Sequence, residues 1–228
     1  DAAEGWKSVF ALPKGASEIS CVDGRGRNIY VGTGKGLYRS QDFGRSWRSA
    51  FRTFNADKNR VNCVSVSRVD PGKVVIGTDR GVFMSMDSGK RWTDMSANLK
   101  MRVRCLALDN GTIFAGGYNG LYSREGESRP WNRLYVVTSG ESTGEDNTEE
   151  PVEDGDEEPD EERAINGIAI RGGRLYIAVG EKVLCSDDSG RSWNALPPDG
   201  ISGKVRFILA AGQAYKIYAA TEKGVFES

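Results

Sequence analysis

The sequence predicts an all-β chain folded as a five-bladed β-propeller, and three observations predict it. Gly36 to Trp47, Gly81 to Trp92 and Lys182 to Trp193 align without gaps, and Gly120 to Trp131 keeps the same length. The tryptophans that end these copies, Trp47, Trp92, Trp131 and Trp193, lie 45, 39 and 62 residues apart, and the step from Trp193 through Ser228 round to Trp6 is 41. Between them the apolar positions alternate and are bounded by Gly, Asp and Asn turns, the pattern of half-buried strands. A repeat of about 40 residues made of strands alone is the size of a propeller blade, a small sheet that cannot bury both faces without neighbours. A fifth copy begins at Gly224-Val225-Phe226-Glu227-Ser228, and its other half stands at Gly5-Trp6. The ring is therefore expected to close by an N-terminal strand that completes the C-terminal blade, as one domain over residues 1–228.

Each repeat reads as four strands, a to d. Strand a is Ile19-Ser20-Cys21-Val22, Val61-Asn62-Cys63-Val64 or Val103-Arg104-Cys105-Leu106, with Gly167 and Phe207 at the cysteine position of the last two repeats. Strand b runs from Asn28 to Gly32, Lys73 to Gly77, Thr112 to Gly116, Arg174 to Ala178 and Lys216 to Ala220. Strand c is Gly-Leu-Tyr or its equivalent, and strand d carries the tryptophan. Gly32-Thr33-Gly34-Lys35-Gly36 has the look of a phosphate-cradling loop, but it recurs as Gly77-Thr78-Asp79-Arg80-Gly81 with no helix after it, so it is a b–c hairpin turn.

The repeated core is Ser40, Asp42, Gly44, Trp47; Ser85, Asp87, Gly89, Trp92; and Ser186, Asp188, Gly190, Trp193. Ser and Asp side chains can satisfy turn N–H groups, and Gly supplies an unusual backbone angle. The tryptophan then packs between adjacent sheets. In the fourth copy Arg124, Gly126 and Ser128 replace Ser, Asp and Gly. The pattern Ser-x-Asp-x-Gly-x-(Ser/Thr)-Trp is the Asp-box, so the chain resembles the bacterial neuraminidase repeat propellers, which include sialidases, sortilin-type receptors and photosystem II assembly factors. The resemblance implies a propeller in which the box staples a hairpin. It also brings sialic-acid hydrolysis into consideration, which needs an arginine triad, a Tyr/Glu nucleophile pair and an acid. Arg60, Arg102 and Arg104 imitate part of such a triad, but the family's Phe/Tyr-Arg-Ile-Pro segment is absent and spacing assigns no Tyr-Glu partner.

The chain has no histidine, which removes His-based triads, the usual imidazole base and most zinc and haem sites. Cys21, Cys63, Cys105 and Cys185 have no metal spacing and read as core filling. No metal site is expected outside the acidic insertion, and no apolar run reaches the ~18 to 20 residues of a membrane helix. A chain beginning at Asp1 is what removal of a secretion signal leaves, giving an expected extracellular or periplasmic location.

Residues 140–162 form an acidic low-complexity insertion between blades three and four, with 13 acidic residues and no basic one. Such a segment cannot pack a core. It reads as a solvated, flexible loop, with calcium held among Asp154, Asp156 and Asp160 or docking on a basic surface as the alternatives, and no cofactor is expected. Subtracting its 13 negative charges from the net charge of −1 leaves +12 on the remainder. Propeller topology gathers that charge on one face, with Lys35, Arg80 and Lys223 in b–c turns and Arg60, Arg102, Arg104, Lys204 and Arg206 where strand a begins. These eight residues are the candidate ligand-binding set. The expected function is a non-catalytic, exported binding or assembly scaffold holding an anionic protein segment or glycan. A structural subunit of a surface layer or filament and a sialidase-type hydrolase are the alternatives. Without a recognised motif or interleaved aromatics, nucleic acid is not an expected partner.

Overall fold

Alternating apolar residues and tight glycine turns fold each repeat into an antiparallel meander. A computed structural model describes residues 5–54, 59–99, 101–136, 164–197, 200–211 and 216–228. Blade 1 is β1 (Ile19–Arg25), β2 (Asn28–Thr33), β3 (Gly36–Ser40) and β4 (Arg48–Phe51). Blade 2 is β5 (Val61–Val66), β6 (Val74–Thr78), β7 (Gly81–Ser85) and β8 (Thr93–Asp94). Blade 3 is β9 (Cys105–Asp109), β10 (Thr112–Gly117), β11 (Gly120–Glu125) and β12 (Asn132–Tyr135). Blade 4 is β13 (Ile165–Arg171), β14 (Arg174–Val179), β15 (Lys182–Ser186) and β16 (Asn194–Ala195). Blade 5 is β17 (Val205–Ala211), β18 (Lys216–Thr221) and β19 (Gly224–Glu227). Every sheet keeps its strands in chain order, so the chain is an all-β, five-bladed propeller with no helix among the described residues.

Apolar cores form between successive blades. Tyr30, Leu37 and Phe51 of blade 1 meet Val61, Ile76 and Phe83 of blade 2, and corresponding clusters join blades 2 and 3, 3 and 4, and 4 and 5. Strand b uses glycine at the close approach. A Cβ on Gly77 would lie 2.5 Å from Val103 Cγ1 and 2.6 Å from Cys63 Sγ. All four cysteines are free thiols, and Cys63, Cys105 and Cys185 are buried. Burial raises the Cys21 and Cys105 thiols to about 12, so both are protonated, unreactive core groups.

The Ser-x-Asp-x-Gly turns share one geometry. Ser40 Oγ donates to Asp42 Oδ1 at 2.8 Å and accepts from Gly44 N–H at 2.8 Å; Ser85 and Ser186 do the same with Asp87 and Gly89, and with Asp188 and Gly190. The residue before each glycine, Phe43, Ser88 or Ser189, also has positive φ (59°, 59° and 64°). Two left-handed residues in succession turn the chain so that the tryptophan reaches the preceding sheet. Trp92 Nε1 donates to Ala50 O, Trp131 to Met95 O and Trp193 to Leu134 O, at 2.7, 2.8 and 3.2 Å. Each acceptor lies three residues beyond the tryptophan of the preceding repeat.

Trp47 obeys the same rule, donating to Val9 O at 2.6 Å, and Val9 lies three residues beyond Trp6. Phe10 packs on Tyr38 and Trp47, with ring centroids 5.6 and 4.8 Å away. The N-terminal segment thus lies where the outer strand of a blade preceding blade 1 belongs. The expected pairing of that segment with the C-terminal blade is not formed among the described residues. Blade 5 has three strands and Trp6 is fully exposed. The physical reason is that no apolar junction is buried there among the described residues: Phe207 and Val225 on one side and Ile19 and Val22 on the other are exposed.

Candidate functional site

The site begins with an irregularity in strand a. The register of β1, β5, β13 and β17 against its strand b partner shifts at one residue, leaving Ser20, Asn62, Asn166 and Arg206 as bulges. A bulge re-aims its side chain. Arg104 holds the equivalent place in blade 3. Together with Arg60, Arg102 and Tyr118 these residues line a cavity of about 400 Å³, to which all five blades contribute.

Short polar bonds across the blade junctions hold this lining. Ser20 Oγ donates to Val61 O, Asn62 Nδ2 to Val103 O at 3.1 Å and Asn166 Nδ2 to Val205 O at 3.2 Å. Behind them Cys105 Sγ lies 3.4 Å from Ile165 O, a weaker copy of the same contact.

Carboxylates at the ends of the strands brace the arginines. Arg60 pairs with Glu18, Arg206 with Glu222, and Arg102 with Asp79 at 2.7 Å. Burial works to raise the Asp79 carboxyl, but hydrogen bonds from Arg102 and Asn62 and the charges of Arg102 and Arg60 outweigh it and hold it below its ordinary value. Arg104 is placed differently. It donates to Tyr118 Oη at 2.6 Å, with its guanidinium carbon 4.9 Å from the Tyr118 ring centroid. A guanidinium held against an aromatic ring keeps one orientation, and its planar fork of donors suits a planar anion.

Of the eight residues expected to bind ligand, the cavity gathers Arg60, Arg102, Arg104 and Arg206. Lys35, Arg80, Lys204 and Lys223 lie outside its lining, and Lys35 Nζ donates instead to Lys14 O at 3.3 Å. Sequence reasoning missed Ser20, Asn62, Asn166 and Tyr118. The signal was the residue before each Cys, Gly or Phe of strand a, which is polar in all five repeats although its neighbours are apolar. Asp154, Asp156 and Asp160 lie outside the described residues. A second depression, of about 530 Å³, is lined by Arg171, Gly172, Gly173, Arg174, Tyr176 and Asp187 of blade 4 alone. Arg174 and Asp187 pair within it, and it draws on one blade where the mouth draws on five.

Among solved structures the chain is similar to the extracellular domain of a hybrid two-component system protein from B. thetaiotaomicron, with TM-score 0.69 and 14% identity over 96% of this chain and 28% of that one. It is similar to YCF48 bound to D1 peptide, with TM-score 0.64 and 15% identity over 96% of this chain and 67% of that one. It is also similar to the GH74 enzyme of Niastella koreensis, with TM-score 0.59 and 17% identity over 88% of this chain and 34% of that one. The shared feature is the propeller fold. The chain spans about a quarter to two thirds of these proteins' lengths. No family model matches the sequence, and no curated protein matches it. No helix among the described residues is long and apolar enough to cross a membrane.

Proposed function

We propose that the chain is a non-catalytic Asp-box propeller, working outside the cytoplasm, that holds an anionic protein segment or glycan at the mouth of its channel. The observation that carries this reading is the convergence of Arg60, Arg102, Arg104 and Arg206 on one cavity whose other polar lining is neutral. Such a lining binds carboxylate, phosphate or sulfate groups through charge-assisted hydrogen bonds. Chemistry on a glycosidic bond needs two carboxyl groups held in different protonation states. Here the nearby carboxylates Glu18, Asp79 and Glu222 are each engaged by a guanidinium, and Asp79 is held ionised. That arrangement has these three carboxylates bracing arginines instead of serving as proton donors. Likeness to a propeller bound to a peptide and to an extracellular domain supports the reading at the level of fold alone.

The test is a titration of the protein with a polyglutamate peptide and with a sulfated glycan, at low and moderate salt. Substituting Arg104→Ala or Arg206→Ala should weaken binding of the true ligand class about tenfold, while Lys35→Ala changes it little. Binding unaffected by either arginine, or turnover of a fluorogenic sialoside or β-glucan that is lost with Asp79→Asn, would overturn the proposal.

A further inference from the structure

Strand a starts at the mouth, so the a–b and c–d turns of every blade emerge at the opposite end of the propeller. Three large apolar side chains stand out there from blades 1 and 2: Phe43 is 65% exposed, Met86 53% and Val69 84%. Phe43 lies at φ 59°, in the left-handed region that a bulky side chain disfavours, and the same place in the sister turns is taken by Ser88 and Ser189, at 59° and 64°. Met86 likewise stands where the other two turns carry Gln41 and Asp187. Neither backbone preference nor packing accounts for an aromatic ring at residue 43, since the ring is left in water. Backbone strain of this kind gathers at functional contacts.

These turns are neighbours. Phe43 N–H donates to Arg27 O at 3.2 Å, joining the two turns of blade 1, and Ser88 N–H donates to Gly72 O at 2.8 Å, joining those of blade 2. Arg39 Nη1 on β3 donates to Ser88 O, which ties blade 1 to the turn of blade 2. The apolar tips stand among exposed cations, Arg25, Arg27 and Arg45 on blade 1 and Arg68 and Lys90 on blade 2. The carboxylates at this end are engaged by the backbone: Asp42 and Asp87 accept from N–H groups of their own turns, Asp70 from Gly72 N–H and Asp23 from Val66 N–H. We propose that this end of blades 1 and 2 docks on an anionic lipid bilayer, with Phe43, Met86 and Val69 entering the headgroup boundary and the five cations meeting lipid phosphates. The occupant is a bilayer and not a protein because the apolar groups stand singly on separate turns, and the depression described at this end belongs to blade 4 alone. A lipid surface accepts such tips without a matching pocket and supplies the negative charge that the cations call for. Arginine and lysine keep their charged heads at phosphate level while their stems lie along apolar surface. Docked in this way, the mouth faces away from the membrane and stays open to ligand.

Cosedimentation of the whole chain with vesicles tests it, comparing pure phosphatidylcholine with phosphatidylcholine carrying about 30% phosphatidylserine. The protein should bind the anionic vesicles, less tightly as salt rises, and bind the neutral ones about tenfold more weakly or worse. Phe43→Ser and Met86→Gln put at each site a residue that a sister turn already carries, so the fold should survive, and circular dichroism checks that. Phe43→Ser should lower the affinity for anionic vesicles about tenfold and Met86→Gln severalfold. Arg104→Ala, at the other end of the molecule, should bind vesicles as the wild type does. No binding at about 20 mM salt, equal binding to neutral and anionic vesicles, or an affinity unmoved in both folded variants would each overturn the proposal. Vesicle binding lost with Arg104→Ala would overturn it too, by placing the lipid contact at the mouth.

Discussion

The Ser85 hydroxyl is 1% exposed and serves three partners: it donates to Asp87 Oδ1 at 2.9 Å and accepts from the N–H groups of Gly89 and Asp87 at 2.7 and 3.2 Å. Ser85→Ala leaves those N–H groups without their acceptor in a turn that already holds two residues at positive φ. The expected loss is about 1–3 kcal/mol by urea denaturation. Asp42 adds a pH dependence. Hydrogen bonds from the Ser46 hydroxyl, Ser46 N–H and Ser40 hold its carboxyl down to about 2, against an ordinary 3.8. Asp87 and Asp188 are lowered in the same way, chiefly by Arg91 and by Ser192. A depressed folded-state value means that the unfolded chain binds the proton first. The stabilisation is therefore complete above about 4 and drains away as the pH falls toward about 2. An acid titration of stability should show that slope, and Asp42→Asn should flatten part of it.

At the scale of the element, blade 3 shows how a degenerate repeat keeps its place. Arg124 stands where the other copies have serine; it is 7% exposed, and its guanidinium donates to Met95 O and Glu127 O. One long cationic side chain thus replaces the Ser-Asp pair, tying the turn to blade 2 at the carbonyl that also receives Trp131. Arg124→Ala should cost about 2–3 kcal/mol in chemical denaturation, since two charge-assisted bonds and buried packing go together, while Arg129→Ala, exposed on the same turn, should change stability by less than about 0.5 kcal/mol. The strands themselves were legible. Alternation and glycine punctuation gave strand b of all five repeats to within a residue or two, as in Thr112–Gly117 against Thr112 to Gly116. The role of Arg124 was not, because loss of a motif in sequence carries no sign of what fills the space. The bulges at Ser20, Asn62, Asn166 and Arg206 were hidden for a related reason: one extra residue leaves the apolar pattern of strand a nearly unchanged while turning a side chain from the sheet face into the mouth.

Over the whole molecule, sequence spacing fixes how many blades there are but not whether the first and last touch, since the same repeat arithmetic describes a closed ring and an arc whose ends stand apart. The exposure of Ile19, Val22, Phe207 and Val225 shows only that, among the described residues, no apolar core is buried between the first and last blades. Charge was easier to read than closure. The 13 acidic residues of 140–162 offset a remainder that carries +12, and the arginines of the mouth belong to that remainder. Coulomb interactions between exposed charges fall off over a Debye length of about 10 Å at 0.1 M salt, so the insertion can weaken anion binding only where ionic strength is low. Deleting residues 140–162 should therefore tighten binding of an anionic ligand at about 20 mM salt by an order of magnitude or more and leave it little changed at about 300 mM. Arg104→Ala in the same background should weaken binding at both, because a guanidinium held over Tyr118 acts by contact and not through the long-range field. If the deletion changes affinity equally at both salt concentrations, the insertion competes by occupying the mouth instead of by its charge at a distance, and fluorescence of a label placed in it would then respond to ligand.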